Sequence, residues 1–186
     1  MIDGKRVVAF IPARGGSKRC PRKNERRFLG KPLILWAIEQ AKESRYIDKI
    51  VFSSEDKDLL SLASVDGCLG EVFHRPATLA EDNILNEDVI RFHLVADNLP
   101  HEIVVLLQPT SPLRLAEDID ACLEMMIERG TDGVISYDDR SFKKNGAVYV
   151  AKREWIEIHD FSHAGLSKYL MPEERSLDID FEEQFR

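Results

Sequence analysis

The stretch Arg6–Asn24, RVVAFIPARGGSKRCPRKN, joins a short apolar run to a loop of glycines and cations. Arg6–Ile11 has no polar alternation and is rich in branched residues, the pattern of a strand buried on both faces. Beyond it, Gly15 and Gly16 free the backbone to bend closely around a ligand. From Arg14 to Lys31 there are eight Lys or Arg and one acid, Glu25, so this segment carries +7 in a chain whose total is −7. Such a block, set directly after a buried strand, calls for an anionic occupant.

Outward from this stretch, strand-like and helix-like segments alternate. Lys31–Glu43 carries apolar residues at 34, 35, 38 and 41, a helical stripe with Pro32 in its first turn. Ile47–Ser53 reads as strand and Asp56–Ser64 as helix. Glu87–Asn98 is a further helix, Glu102–Leu107 another buried strand, and Glu117–Glu128 another helix. Gly133–Ser136 and Gly146–Ala151 complete the strands. The alternation predicts an α/β fold, a doubly wound and mainly parallel sheet, in one domain spanning residues 1–186. In such sheets ligands bind beyond the carboxyl ends of the strands, where the loop after Ile11 must lie.

The totals narrow the function classes. With 44% hydrophobic and 32% charged residues and no long apolar run, the chain reads as a soluble globular protein, and nothing calls for a membrane. The start is a poor signal peptide, so the expected compartment is the cytoplasm. Three widely spaced cysteines (Cys20, Cys68, Cys122) without a CxxC pair argue against a disulfide framework or a zinc site. His159 and His163 have the i, i+4 spacing of metal ligands, but HDFSHAG is turn-like and supplies no third ligand, so they read as surface histidines. A nucleic-acid partner is not expected, because the chain around the basic loop is acidic and lacks a basic stripe with interleaved aromatics.

Three constellations carry chemistry. The loop is neither GxxxxGK[ST] nor GxGxxG. Its backbone N–H groups with Arg14, Lys18 and Lys23 nevertheless suit a triphosphate, the bland alternative being a solvated basic loop. Near the C-terminus, RSLDIDFEEQF (175–185) places Asp178 and Asp180 on one face and Leu177 and Ile179 on the other if it is extended. Two such carboxylates suit Mg²⁺, which completes its shell with water and phosphate oxygens, although an acidic edge strand without metal fits equally. LLQPTSPLR (106–114) follows a strand onto the same rim and offers Gln108, Thr110 and Ser111 to sugar hydroxyls or a carboxylate. No Ser/His/Asp arrangement is suggested by these residues, and serine-nucleophile hydrolysis is set aside.

In this order, IPARGGSKRCPRKN, FHRPATLAED, LLQPTSPLR, NGAVYVAK and MPEERSLDID resemble the acylneuraminate cytidylyltransferase family over nearly the whole chain, from about Val7 to Phe185. The resemblance implies a Rossmann-like nucleotidyltransferase. It joins CMP from CTP to the anomeric hydroxyl of a sialic-type nonulosonic acid, uses Mg²⁺ and releases pyrophosphate. It assigns Arg14, Gly16, Ser17 and Lys18 to the triphosphate and Lys23 to the α-phosphate, with Lys18 and Lys23 as the catalytic cations. It assigns Asn24, Arg75 and Asn86 to the cytidine, Gln108, Thr110 and Asn145 to the sugar acid, and Asp178 and Asp180 to the metal.

The chain departs from the family pattern between Ser136 and Asn145, where only YDDRSFKK intervenes. Relatives carry there a longer arm that pairs two subunits, so the family's homodimer is not assured by the resemblance. Arg19 and Cys20 stand where Gly and an aliphatic residue are common, and Asn86 where serine is frequent; Cys20 is expected to pack. Two competing functions are a catalytically idle relative that binds a nucleotide or a partner, and a transferase for the eight-carbon acid Kdo. Retention of Lys18, Lys23, Asp178 and Asp180 favours the active enzyme.

Overall fold

A computed structural model describes residues 1–65 and 71–185; Cys68 lies outside the described residues. The chain begins with β1 (Val7–Pro12), followed by a two-stranded ribbon of β2 (Arg27–Phe28) and β3 (Lys31–Pro32). Next come α1 (Leu33–Glu43), β4 (Lys49–Ser54), α2 (Lys57–Val65), β5 (Glu71–His74), α3 (Asn86–Ala96) and β6 (Ile103–Leu106). The remainder is α4 (Ala116–Arg129), β7 (Gly133–Asp138), β8 (Lys144–Lys152), α5 (Arg153–Ile156) and β9 (Ser167–Met171). Seven strands form one sheet in the order β5-β4-β1-β6-β8-β7-β9. All neighbours in this sheet are parallel except β6 with β8 and β7 with β8, so β8 alone of its described strands runs backwards.

The unbroken apolar character of β1 is explained by its place. Val7, Ala9 and Ile11 enter one core layer and Val8 and Phe10 the other, all at most 1% exposed. β6 divides in the same way, with Ile103 and Val105 on one side and Val104 and Leu106 on the other. The first layer is closed by α1 through Ile34, Ala37, Ile38 and Ala41 and by α4 through Ile119, Cys122, Leu123 and Met126. The second is closed by α3 through Ile90 and Leu94 and by the short α5 through Trp155 and Ile156. The sheet is thus covered on both faces, the doubly wound arrangement expected. Among the described residues no helix is long and apolar enough to cross a membrane.

The expected elements recur with ends shifted by one or two residues. Four strands were not expected: β2 and β3, two residues each, the edge strand β5, and β9, the opposite edge. The segment 176–180 carries no regular secondary structure and pairs with no strand among the described residues, and Ser176 at φ −89°, ψ 13° is not extended. Helix α1 starts at Leu33, with Pro32 immediately before its first turn. Cys20 and Cys122 are both free and buried; the Cys20 Sγ accepts from Arg26 Nη1 at 3.3 Å, a packing role, and burial pushes the Cys122 thiol well up.

Where β7 meets β8 the register slips between Ile135 and Tyr137. The Ser136 hydroxyl fills the gap, accepting from Val148 N–H at 2.8 Å and lying 2.6 Å from Asn145 Oδ1. Asn145 Oδ1 also accepts from Ala147 N–H at 3.2 Å, and its Nδ2 donates to Ser176 Oγ at 3.0 Å. Gly146 sits in this bend at φ +74°, a left-handed conformation that side chains resist. Below it, the fully buried Arg114 donates from Nη1 to Gln108 O at 2.9 Å and Ala147 O at 2.7 Å, strapping the loop after β6 to β8. Burial brings the Arg114 pKa down to about 9, so it stays charged at neutral pH.

One buried chain of polar groups escaped the sequence reading. His93 on α3 holds Ser53 Oγ at 2.7 Å through Nε2 and Asp97 Oδ2 at 2.7 Å through Nδ1. Ser53 and His93 are each 1% exposed, with Phe10, Phe73 and Phe92 around the ring, so no substrate reaches this Ser-His-Asp order and it serves the core.

Two outcomes are expected. Replacing Gly146 with Ala forces a Cβ into the left-handed region and should cost about 1–2 kcal/mol in urea unfolding. Burial, opposed by Asp97 and reinforced by Arg75, lowers the His93 pKa. The unfolded chain therefore takes up this proton first, and the contribution of His93 is complete above its ordinary value and lost as pH falls toward its depressed one. Between pH 7 and 5 the stability of the native protein should fall more steeply than that of His93→Gln, by at most about 1.4 kcal/mol per pH unit. Parallel slopes would remove His93 from this account.

Candidate active site

Pro12 delivers the chain to the rim formed by the carboxyl ends of β1, β4 and β6. There the loop is pinned at both ends. Ala13 N–H donates to Ser53 O at 3.0 Å and Gly15 N–H to Glu55 Oε1 at 2.8 Å, while Asn24 Nδ2 donates back to Arg14 O at 2.9 Å. A Cβ on Gly15 would lie 2.2 Å from Asp56 Oδ2, so the loop can hug the end of β4 only with glycine there. Gly16 meets no such neighbour.

The loop's cations face carboxylates from distant segments. Arg14 Nη1 meets Asp82 Oδ1 at 2.7 Å and Lys18 pairs with the other oxygen of Asp82; Lys18 first, then Arg14, hold that carboxyl below its usual range. Arg19 spans both oxygens of Asp180, Nη1 to Oδ2 at 2.9 Å and Nη2 to Oδ1 at 3.1 Å. Lys23 Nζ donates to the same Oδ1 at 3.1 Å and to Ile179 O at 2.9 Å. Arg75, 3% exposed, lies 3.1 Å from Glu55 Oε2 through Nη2. Its pKa is lowered by burial, with Glu55 opposing.

The facing wall comes from the loop after β6 and from residues 176–180. Ile179, fully buried, donates its N–H to Thr110 O at 2.8 Å, and this fixes Asp178 and Asp180 on one side of the segment. Gln184 folds back to hold them: its Oε1 accepts from the N–H groups of Asp180 at 2.7 Å and Phe181 at 2.8 Å, and its Nε2 donates to Asp178 O at 2.8 Å. Asp178 is the more enclosed carboxylate. Burial raises its pKa and Asp180 adds to this, against Thr110, Lys23 and Arg19.

Between the walls lies a cleft of about 350 Å³, within the range of small-molecule sites. Arg14, Lys23, Asn24, Arg75, Asn86, Gln108, Thr110, Asp178 and Asp180 line it; Gly16, Ser17 and Lys18 line recesses adjoining it. Asn145 does not: its amide is spent behind the wall, on Ser136, Ala147 and Ser176. Arg19 and Asp82 also line the cleft, and Glu55 and Gln184 brace it, without having been expected there. Asp82 lies inside the quoted FHRPATLAED segment, but its pairing across 64 residues with Lys18 leaves no local signal.

The donor set suits a hard divalent cation. Asp178 Oδ1 is buried and has no hydrogen-bond partner, an oxygen left free beside a second carboxylate. Among the described residues no cluster of three or more His, Cys, Asp or Glu could hold a metal, so an ion at this pair would draw its remaining ligands from water and a bound anion. The rings of His159 and His163 stand 4.3 Å apart beside Trp155.

The model of a family described as cytidylyltransferase matches residues 8–180. Pseudaminic acid cytidylyltransferase of Campylobacter jejuni is 31% identical over 84% of this chain and 68% of its own length. CMP-N,N'-diacetyllegionaminic acid synthase of Legionella pneumophila is 39% identical over 64% of this chain and 53% of its own. N-acylneuraminate cytidylyltransferase of Streptococcus agalactiae is 28% identical over 96% of this chain, which spans only 51% of that relative. Among solved structures, a CMP:2-keto-3-deoxy-manno-octonic acid synthetase complexed with CTP superimposes with a TM-score of 0.77 over 96% of this chain and 95% of its own, at 14% identity, a likeness of fold. With its matched segment running from β1 to Asp180, the chain belongs to the cytidylyltransferase family.

Proposed function

We propose that the chain transfers CMP from CTP to the anomeric hydroxyl of a nonulosonic acid, with release of pyrophosphate. The observation that carries this reading is the convergence, in one cleft, of the cationic loop after β1 with the Asp178–Asp180 pair. The names of the relatives give the class of acceptor: pseudaminic, legionaminic and N-acylneuraminic acids.

In this reading Arg14, Gly16, Ser17 and Lys18 hold the triphosphate and Lys23 approaches the α-phosphate. In-line attack on phosphorus needs positioning and charge neutralisation more than covalent help. Lys23 is suited to this because Ile179 O and Asp180 fix its ammonium at the boundary between the two walls. Asn24, Arg75 and Asn86, which line the cleft, take the cytidine, and Gln108 and Thr110, which line it too, take the sugar acid. Asn145 acts by holding Ser136, Ser176 and the Gly146 bend in place. Asp178 and Asp180 would hold Mg²⁺, which when bound supplies charge neutralisation at phosphate oxygens and acidifies a coordinated hydroxyl. No protein base is assigned.

Pyrophosphate release with CTP and Mg²⁺ against pseudaminic, legionaminic, sialic and Kdo acids tests the reading. Turnover with one nonulosonic acid is expected, and silence across the panel with CTP still bound would replace it by a binding protein. Asp180→Ala should abolish turnover without unfolding the chain; normal rates in excess Mg²⁺ would overturn the assignment. Arg75→Ala should weaken CTP binding by about 1.5–3 kcal/mol, the worth of a hydrogen bond to a charged group. Unchanged affinity in calorimetry would remove Arg75 from the site.

A further inference from the structure

The two carboxylates of the metal pair are in different states. Asp178 keeps Oδ1 buried and unpartnered, whereas both oxygens of Asp180 are taken, by Arg19 from the outside and by Lys23 from within. The two cations are not equivalent. The Lys23 side chain is 12% exposed and tied also to Ile179 O, a fixed part of the wall. The Arg19 side chain is 61% exposed, its guanidinium lies 5.5 Å from the centre of the Phe181 ring, and among the described residues it has no hydrogen bond beyond Asp180. Its fork occupies both oxygens of Asp180.

We propose that Arg19 is a positioning residue that keeps the metal pair closed to a free divalent cation and opens it when a triphosphate arrives, an inference that rests on the function proposed above. A free cation meets Asp180 already neutralised and a guanidinium in its path. A triphosphate changes both conditions, because its oxygens offer Arg19 a better-matched anion than one partly exposed carboxylate and supply the ion with ligands. The swing is inexpensive, since exposed ion pairs contribute little. Metal and nucleotide then bind cooperatively, each raising the affinity for the other by the same factor.

The test is a titration of the nucleotide-free protein with Mn²⁺, followed by electron paramagnetic resonance of the free ion, on the native chain, Arg19→Ala, Arg19→Lys and the double variant Arg19→Ala with Asp178→Asn. Removing one positive charge a few ångströms from a dication should tighten Mn²⁺ binding about tenfold in Arg19→Ala. Arg19→Lys should stay near the native value, and the gain should vanish in the double variant. Equal or weaker Mn²⁺ binding in Arg19→Ala would overturn the proposal, as would a gain that survives Asp178→Asn. Water proton relaxation of the native protein with Mn²⁺ and CTP, compared with Asp178→Asn, separates the two levels: identical relaxation means that the ion never sits on the pair and the metal reading itself fails. If relaxation differs but Arg19→Ala gains nothing, only the gate fails.

Discussion

The structure turns on the neutralisation of one cationic loop. The basic side chains after β1 would repel one another at the rim of the sheet. Arg14 and Lys18 are held instead by Asp82, and Arg19 and Lys23 by Asp180, while Glu55 holds the loop backbone at Gly15 N–H; the three carboxylates reach the rim from separate segments. Glu55 follows β4, Asp82 precedes α3 and Asp180 lies beyond β9, so the loop takes its shape only when the fold around it is complete. The exposed pairs add little stability. Their value is geometric: the cations stand apart and oriented, and the carboxylates that hold them can be exchanged for a stronger anion. The Arg75–Glu55 pair differs, because Arg75 is buried and removing Glu55 would strand its charge.

Much of the fold was legible because the central strands are buried on both faces. Continuous apolar runs such as Val7–Ile11 and Ile103–Leu106 have no solvent side to interrupt them, and the stripe of α1 faces a single layer. The edges were less legible for the opposite reason. β9, SKYLM, has exposed Lys168 and Leu170 on one face, and β5 is four residues long, so neither carries the run that marks a central strand. The backward course of β8 also has no signature in its own residues; it follows from the hairpin with β7, whose turn, Asp139–Lys143, lacks the Asn-Gly or Asp-Gly signal.

At the site, residues that act through chemical type stood out, while residues that act through long-range pairing did not. Lys23, Asp178 and Gln108 belong to short motifs with an evident use. Asp82, Glu55 and Gln184 become meaningful only through partners 40 to 68 residues away or through a backbone that folds back on itself. Asn145 shows the reverse. Its place in an NGA motif pointed to the cleft, but the register slip at Ser136 needs its amide, and a side chain committed to three internal partners has nothing left to offer a ligand.

The hairpin between β7 and β8 emerges at the same rim as the ends of β1 and β6, because β8 runs opposite to β6 and β7 opposite to β8. Its turn is closed locally by Asp138, which accepts from Ser141 N–H at 2.5 Å and Arg140 N–H at 3.2 Å. Among the described residues the turn contributes no side chain to the core clusters, and each doubling of a loop adds only about 0.6 kcal/mol of closure entropy. The sheet therefore holds a socket beside the cleft: segments of very different size could be grafted between Asp138 and Lys144, altering the rim while every ladder below remains as it is.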